Sequence, residues 1–100
     1  MTINELISKL KLDGLEVKKE GNKTVINLED SDEFAKIYSR LDRDEDFELD
    51  DTRVIMSPLN TYMVYVGDEY ECGISSDYEK DIYRVVIKEI GNGKTKENNN

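Results

Sequence analysis

Three segments in the second half of the chain, residues 61–66, 69–74 and 82–90, hold β-branched and aromatic residues at a density that suits strands. Pro58-Leu59-Asn60 and Gly67-Asp68 provide the breaks around the first, and Gly73 interrupts the second. The third is the longest and is expected to be the last and best-buried strand. Upstream, Leu15 and Val17 alternate with Glu16 and Lys18, residues 24–28 are rich in β-branched side chains, and Glu20-Gly21-Asn22 suits a turn, which predicts a β-hairpin.

Two segments change the period from two to 3.6. Thr2 and Glu5 form a capping box, in which a hydroxyl and a carboxylate each satisfy a free backbone N–H, and Ile3, Leu6, Ile7 and Leu10 follow on one helical face. Gly14 offers a left-handed terminus, so a helix is expected over residues 3–12. Asp30 to Glu33 repeats the capping pattern, with Ser31 an alternative cap, and Phe34, Ile37, Tyr38 and Leu41 predict a second helix over 31–41. Beyond it, Phe47 and Leu49 fall between acidic residues, the pattern of an edge strand over 46–50 that turns at Asp50-Asp51 into residues 53–56.

This order implies an α+β fold with two helices packed on one face of a mostly antiparallel sheet. The length of 100 residues suits one core, assigned to residues 1–90, with 91–100 a flexible polar tail that has no apolar side chain to bury.

The formal charge of −9 is concentrated. Residues 29–51 hold eleven acids against Lys36, Arg40 and Arg43, and residues 68–81 hold six against Lys80. Such a field repels nucleic acid and anionic membrane and attracts basic protein surfaces, so no direct nucleic-acid or membrane binding is expected. No apolar run approaches the ~20 residues that span a bilayer, and no signal segment is visible. With no His and one Cys the chain fits a reducing cytoplasm. Catalysis is not expected: no His is present to activate a nucleophile, and no phosphate-binding loop occurs in a strand-to-helix context. Asp42-Arg43-Asp44-Glu45-Asp46 lacks the central Gly and terminal acid of a calcium loop, and no cofactor or metal is expected. Cys72 reads as a half-buried strand residue rather than a reactive thiol, since no cation flanks it.

The candidate partner-binding residues are Glu29, Asp30, Asp32, Glu33, Asp42, Asp44, Glu45, Asp46, Glu48, Asp50 and Asp51, joined by Asp68, Glu69, Tyr70 and Glu71 of the second acidic stretch. In an extended strand, the even-numbered acids from Asp42 to Asp50 would place a carboxylate every ~6.6 to 6.8 Å along one face. That is about the separation of every second phosphate on a DNA strand, at ~3.4 Å each. A solvated acidic face is the competing reading, but crowding of like charge has a standing cost that selection for a basic partner would explain. Tyr62, Tyr65, Tyr70 and Tyr78 read either as sheet packing or as anchoring area.

The opening Met1-Thr2-Ile3-Asn4-Glu5-Leu6-Ile7, with Lys11, Val17-Lys18 and Gly21, resembles the start of small acidic anti-CRISPR proteins of prophages, which inhibit the Cas9 nuclease. The resemblance covers about a fifth of the chain. It implies a helix leading into a small antiparallel sheet with further helices, and surface carboxylates that occupy the basic cleft reading the motif beside a DNA target. The inhibitory acids of that family lie outside the matching segment, and its helical C-terminal half differs from the strands expected here after residue 52. The expected function is a phage-type inhibitor that mimics DNA at a basic nucleic-acid-binding site. A neutraliser of a basic toxin, an antitoxin or immunity type, would use the same electrostatics, and an acidic accessory structural protein of a phage is the third reading.

Overall fold

The computed structural model describes residues 1–90; the tail expected over 91–100 lies outside the described residues. The elements run α1 (Ile3–Lys9), β1 (Val17–Glu20), β2 (Lys23–Leu28), α2 (Ser31–Arg43), β3 (Glu48–Leu49), a 3₁₀ turn (Asp51–Arg53), β4 (Ile55–Met56), β5 (Asn60–Val66), β6 (Tyr70–Asp77) and β7 (Ile82–Glu89). They form the expected α+β architecture. The sheet order is β1-β2-β7-β6-β5, with the last position shared by β3 and β4, each paired to a different part of β5, and every pairing is antiparallel.

Register explains the core. Ile26 pairs with Val85, Val85 with Ile74 and Ile74 with Met63, so four apolar side chains from four strands form one buried row. Thr24, Ile87, Cys72 and Tyr65 form the neighbouring row, and Leu28, Tyr83, Ser76 and Thr61 the next. Leu6 and Leu10 of the first helical segment, Leu12 beyond it, and Phe34, Ile37 and Leu41 of α2 close this face into one cluster. The opposite face carries Lys23, Val25, Arg84, Val86, Lys88, Glu71, Tyr62, Val64 and Val66, the alternate positions of the same strands, and the apolar faces of α1 and α2 pack on the other side. There Tyr62 lies across Gly73, whose missing side chain leaves room for the ring.

Several boundaries differ from the sequence reading. The helix α1 ends at Lys9 rather than residue 12, three residues short of expectation, because Lys11, at φ 58°, already supplies a left-handed turn, while Gly14, left-handed as expected at φ 86°, lies in the loop beyond. The Lys11 amide donates to the Ser8 carbonyl and the Leu12 amide to the Ile7 carbonyl, which folds Leu12 back into the core. Arg40 reaches over from α2 and donates to the Leu10 carbonyl at 3.1 Å. Burial is greatest on β6 rather than on β7, since β6 is covered by α2 and has Tyr62 over its open face at Gly73, whereas Arg84 and Lys88 of β7 face outward. The strand Tyr70–Asp77 also runs through Gly73 without interruption. Cys72 is fully rather than half buried, and burial pushes its thiol up to about 12.

These features yield three predictions. Lys11→Gly removes the strain of a left-handed non-glycine residue and should raise the unfolding free energy by about 1 kcal/mol in a denaturant titration. Ile74→Ala should cost about 2–5 kcal/mol in the same measurement, and the Cys72 thiol should react with an external reagent only at the rate of unfolding.

Candidate acidic interface

Helix α2 divides the acidic stretch. Its thirteen residues run about 20 Å, so Glu29, Asp30, Asp32 and Glu33 lie at one end and Asp42 and Asp44 at the other. The first group belongs to the helix start: Asp30 accepts from the Glu33 amide at 3.0 Å, and Glu33 reaches back to the Glu29 amide at 2.7 Å. Phe34 meets Tyr83, which brings this end beside the β6–β7 turn and its Asp77, Glu79 and Asp81.

The alternating acids from Asp42 to Asp50 do not form an extended ladder. Helix α2 continues through Arg43, Asp44 caps it, Asp46 lies in a turn, and only Glu48 of the series sits in a strand. Phe47 turns inward, whereas Leu49 stays 37% exposed, because β3 is only two residues long and ends at the sheet edge.

The chain instead gathers acids by a contact distant in sequence. Glu45, Asp46, Glu48, Asp50 and Asp68 line one open concavity of about 460 Å³, together with Leu49, Val66 and Gly67. Met1, Phe47, Glu69 and Tyr70 line an adjoining one of about 230 Å³ that shares Asp46, Gly67 and Asp68. Gly67 makes this possible. A Cβ at that position would stand 2.9 Å from Phe47 Cε1 and 3.0 Å from the Asp46 carbonyl oxygen, so glycine alone allows the Asp46-Phe47 backbone to close on the β5–β6 turn. The two acidic stretches thereby share one edge.

Three cations fix the arrangement. Lys9 places its ammonium 2.9 Å from both Asp44 and Asp46. Partial burial works to raise the Asp44 carboxyl, but the Lys9 ammonium and the Asp46 amide outweigh it and hold the group below the usual range. Arg53 donates to Asp50 at 2.8 Å and through both terminal nitrogens to Glu71 at 3.1 and 3.2 Å. The Thr52 hydroxyl, Arg53 and the Thr52 amide lower Asp50 to about 2. The Met1 ammonium meets Glu69 at 2.8 Å, and the Tyr70 hydroxyl donates to the Met1 carbonyl at 3.2 Å. Asp42 accepts from the buried Tyr65 hydroxyl at 3.4 Å.

Glu45, Glu48, Asp51 and Asp68 are exposed and have no hydrogen-bond or ion-pair partner among the described residues. They are the free acceptors of this edge. Lys9, Gly67, Arg53 and the amino terminus hold the acids in place; sequence reading placed Gly67 at a break but gave none of them this role, since the partners lie 37 residues away for Lys9, 18 for Arg53 with Glu71 and 68 for Met1. Among the described residues no group of three or more Cys, Asp or Glu is arranged to hold a metal ion, and no helix is long and apolar enough to cross a membrane. Comparison with known proteins gives no match: no family model, no curated protein and no solved structure is similar to this chain.

Gly67→Ala forces the Asp46 backbone away and should destabilise the fold by about 1–3 kcal/mol in urea. Asp50 has its carboxyl depressed in the folded state, so its contribution is complete above the ordinary carboxylate range and is lost as pH falls toward 2. Asp50→Asn should therefore flatten the loss of stability between about pH 5 and pH 2, measured as the urea midpoint against pH.

Proposed function

We propose that the protein is a phage-type inhibitor that places this acidic edge on a basic nucleic-acid-binding surface, that of a CRISPR-Cas nuclease, and so excludes the DNA target. The observation that carries the reading is the joining of two acidic stretches at Gly67, with Glu45, Glu48 and Asp68 left unpartnered around one concavity. Carboxylates without internal cations are available to lysine and arginine side chains that otherwise meet phosphates.

Rigidity supports the same reading. Lys9 and Arg53 hold the neighbouring acids in fixed positions, so the surface is ordered before binding, and less conformational freedom is lost on association. The net charge of −9 raises the encounter rate with a basic cleft and repels DNA from the complex. The partner class follows the resemblance of the opening segment to Cas9 inhibitors. The acids Glu29, Asp30, Asp32 and Glu33, at the far end of α2, stand apart from this contact and serve the helix start.

The test is displacement of a target duplex from purified Cas9-type nucleases in a mobility-shift assay. The native protein should reduce DNA loading on a susceptible nuclease, and the combined variant Glu45→Lys, Glu48→Lys and Asp68→Lys should lose that effect by at least a hundredfold while keeping its circular dichroism. Unchanged inhibition by the folded variant would reject the acidic edge as the binding surface.

A further inference from the structure

The concavity is flanked by a feature that charge does not explain. Six of the eleven exposed large hydrophobic residues among those described, Ile55, Met56, Leu59, Tyr62, Tyr78 and Ile82, lie on β4, on the hairpin it forms with β5 and at the β6–β7 turn beside it. Met56 is 74% exposed, and Ile55 and Leu59 are each 54% exposed. Ile55 pairs with Tyr62 on the face without helices and Met56 with Thr61 on the helix side, so the apolar residues wrap around the β4 edge, and the Tyr78 amide bonds to the Leu59 carbonyl at 2.9 Å, which joins the β6–β7 turn to it.

This patch borders an open backbone edge. The Ser57 amide donates to the Asn60 carbonyl, so Ser57–Asn60 is a hydrogen-bonded pair and Ile55–Tyr62, two residues further on, is the next. Met56 lies between them, and its N–H and carbonyl point away from β5. β4 pairs with β5 alone, so the outer side of β4 is an unpaired strand edge.

We propose that the free edge of β4 receives an extended segment of the basic partner as an added antiparallel or parallel strand, with apolar side chains on Met56 and Leu59 and Lys or Arg toward the flanking acids. This rests on the reading of the acidic edge as the partner surface, and names the kind of segment that the partner contributes. Charge decides the occupant. Glu48, Asp50 and Asp51 precede β4 in the chain, and Asp77, Glu79 and Asp81 belong to the turn on its other side. Of the cations nearby, Arg53 is held by Asp50 and Glu71, which leaves Lys80 and Arg84 against the larger number of acids. A second copy joined through the same edge would set these acids against each other, whereas a cationic strand satisfies them.

The probe is a synthetic peptide of alternating Lys and Val, titrated into the isotope-labelled full chain while backbone amide shifts are followed. Shifts at residues 49–59, with intermolecular contacts to Met56, and at least tenfold weaker binding to Met56→Lys and to Leu59→Asn, are the expected result. Met56→Leu, which keeps both an apolar side chain and the outward N–H, should bind like the native chain, whereas Met56→Pro, apolar but without that N–H, should weaken binding at least tenfold, and the pair separates backbone pairing from side-chain contact. Shifts confined to residues 45–51 and 67–69, with full affinity in the Met56 and Leu59 variants, would overturn strand addition and leave the acidic edge intact. No shifts at either place would overturn both, and self-association through β4 seen by sedimentation of the chain alone would identify a second copy as the occupant instead.

Discussion

The contact of Phe47 with Gly67 is the constraint on which the arrangement of the acidic edge depends. Phe47 is buried in the common core, and its ring lies against a position where a single added carbon would collide with both ring and backbone. Lys9 approaches the same ring, 6.0 Å from its centre, while holding Asp44 and Asp46. One aromatic anchor thus fixes the loop after α2, the turn between β5 and β6 and the side chain of an α1 lysine. Burial of an aromatic side chain is favourable enough to set against the repulsion among the nearby carboxylates.

Charge is divided by the sheet as well as by the helix. On the face without helices, Lys18, Lys23, Arg84 and Lys88 belong to β1, β2 and β7, while Glu48 and Glu71 lie toward the β3 and β5 side. The molecule is polar across its width on this face. A polarised field orients an approaching basic partner, which uniform charge cannot do. Lys18 and Lys19 also mark the exposed strand β1, where cations discourage unwanted strand pairing. The other edge, at β4, has apolar side chains instead, so the two edges differ in chemistry.

Most of the fold was legible because its signals are local. The capping box at Thr2 and Glu5, the Asp30 cap, the Gly21-Asn22 turn and the strands beginning near Asn60, Tyr70 and Ile82 each depend on a few neighbouring residues. The segment from Asp42 to Asp50 was misread as a ladder because alternation of acids fits a strand, a helix end and a turn equally well when few apolar side chains accompany it. The chain uses all three. Relative burial of β6 and β7 was also hidden, since small residues such as Cys72, Gly73 and Ser76 have weak apolar signals of their own and are buried by what packs over them. The candidate site was half legible. Its acids could be named, but their division into two ends, and the union of Glu45, Asp46, Glu48 and Asp50 with Asp68, depend on Gly67 and Lys9, whose roles exist only once distant segments meet.

The most direct test of the account is the amide hydrogen-exchange footprint of the full chain bound to a Cas9-type nuclease, against the free protein. Residues 45–51 and 67–69 should gain protection together, while residues 29–33 at the start of α2 keep their free-state rates. Protection centred on residues 29–33 and 77–81, with the edge around Gly67 unchanged, would contradict it.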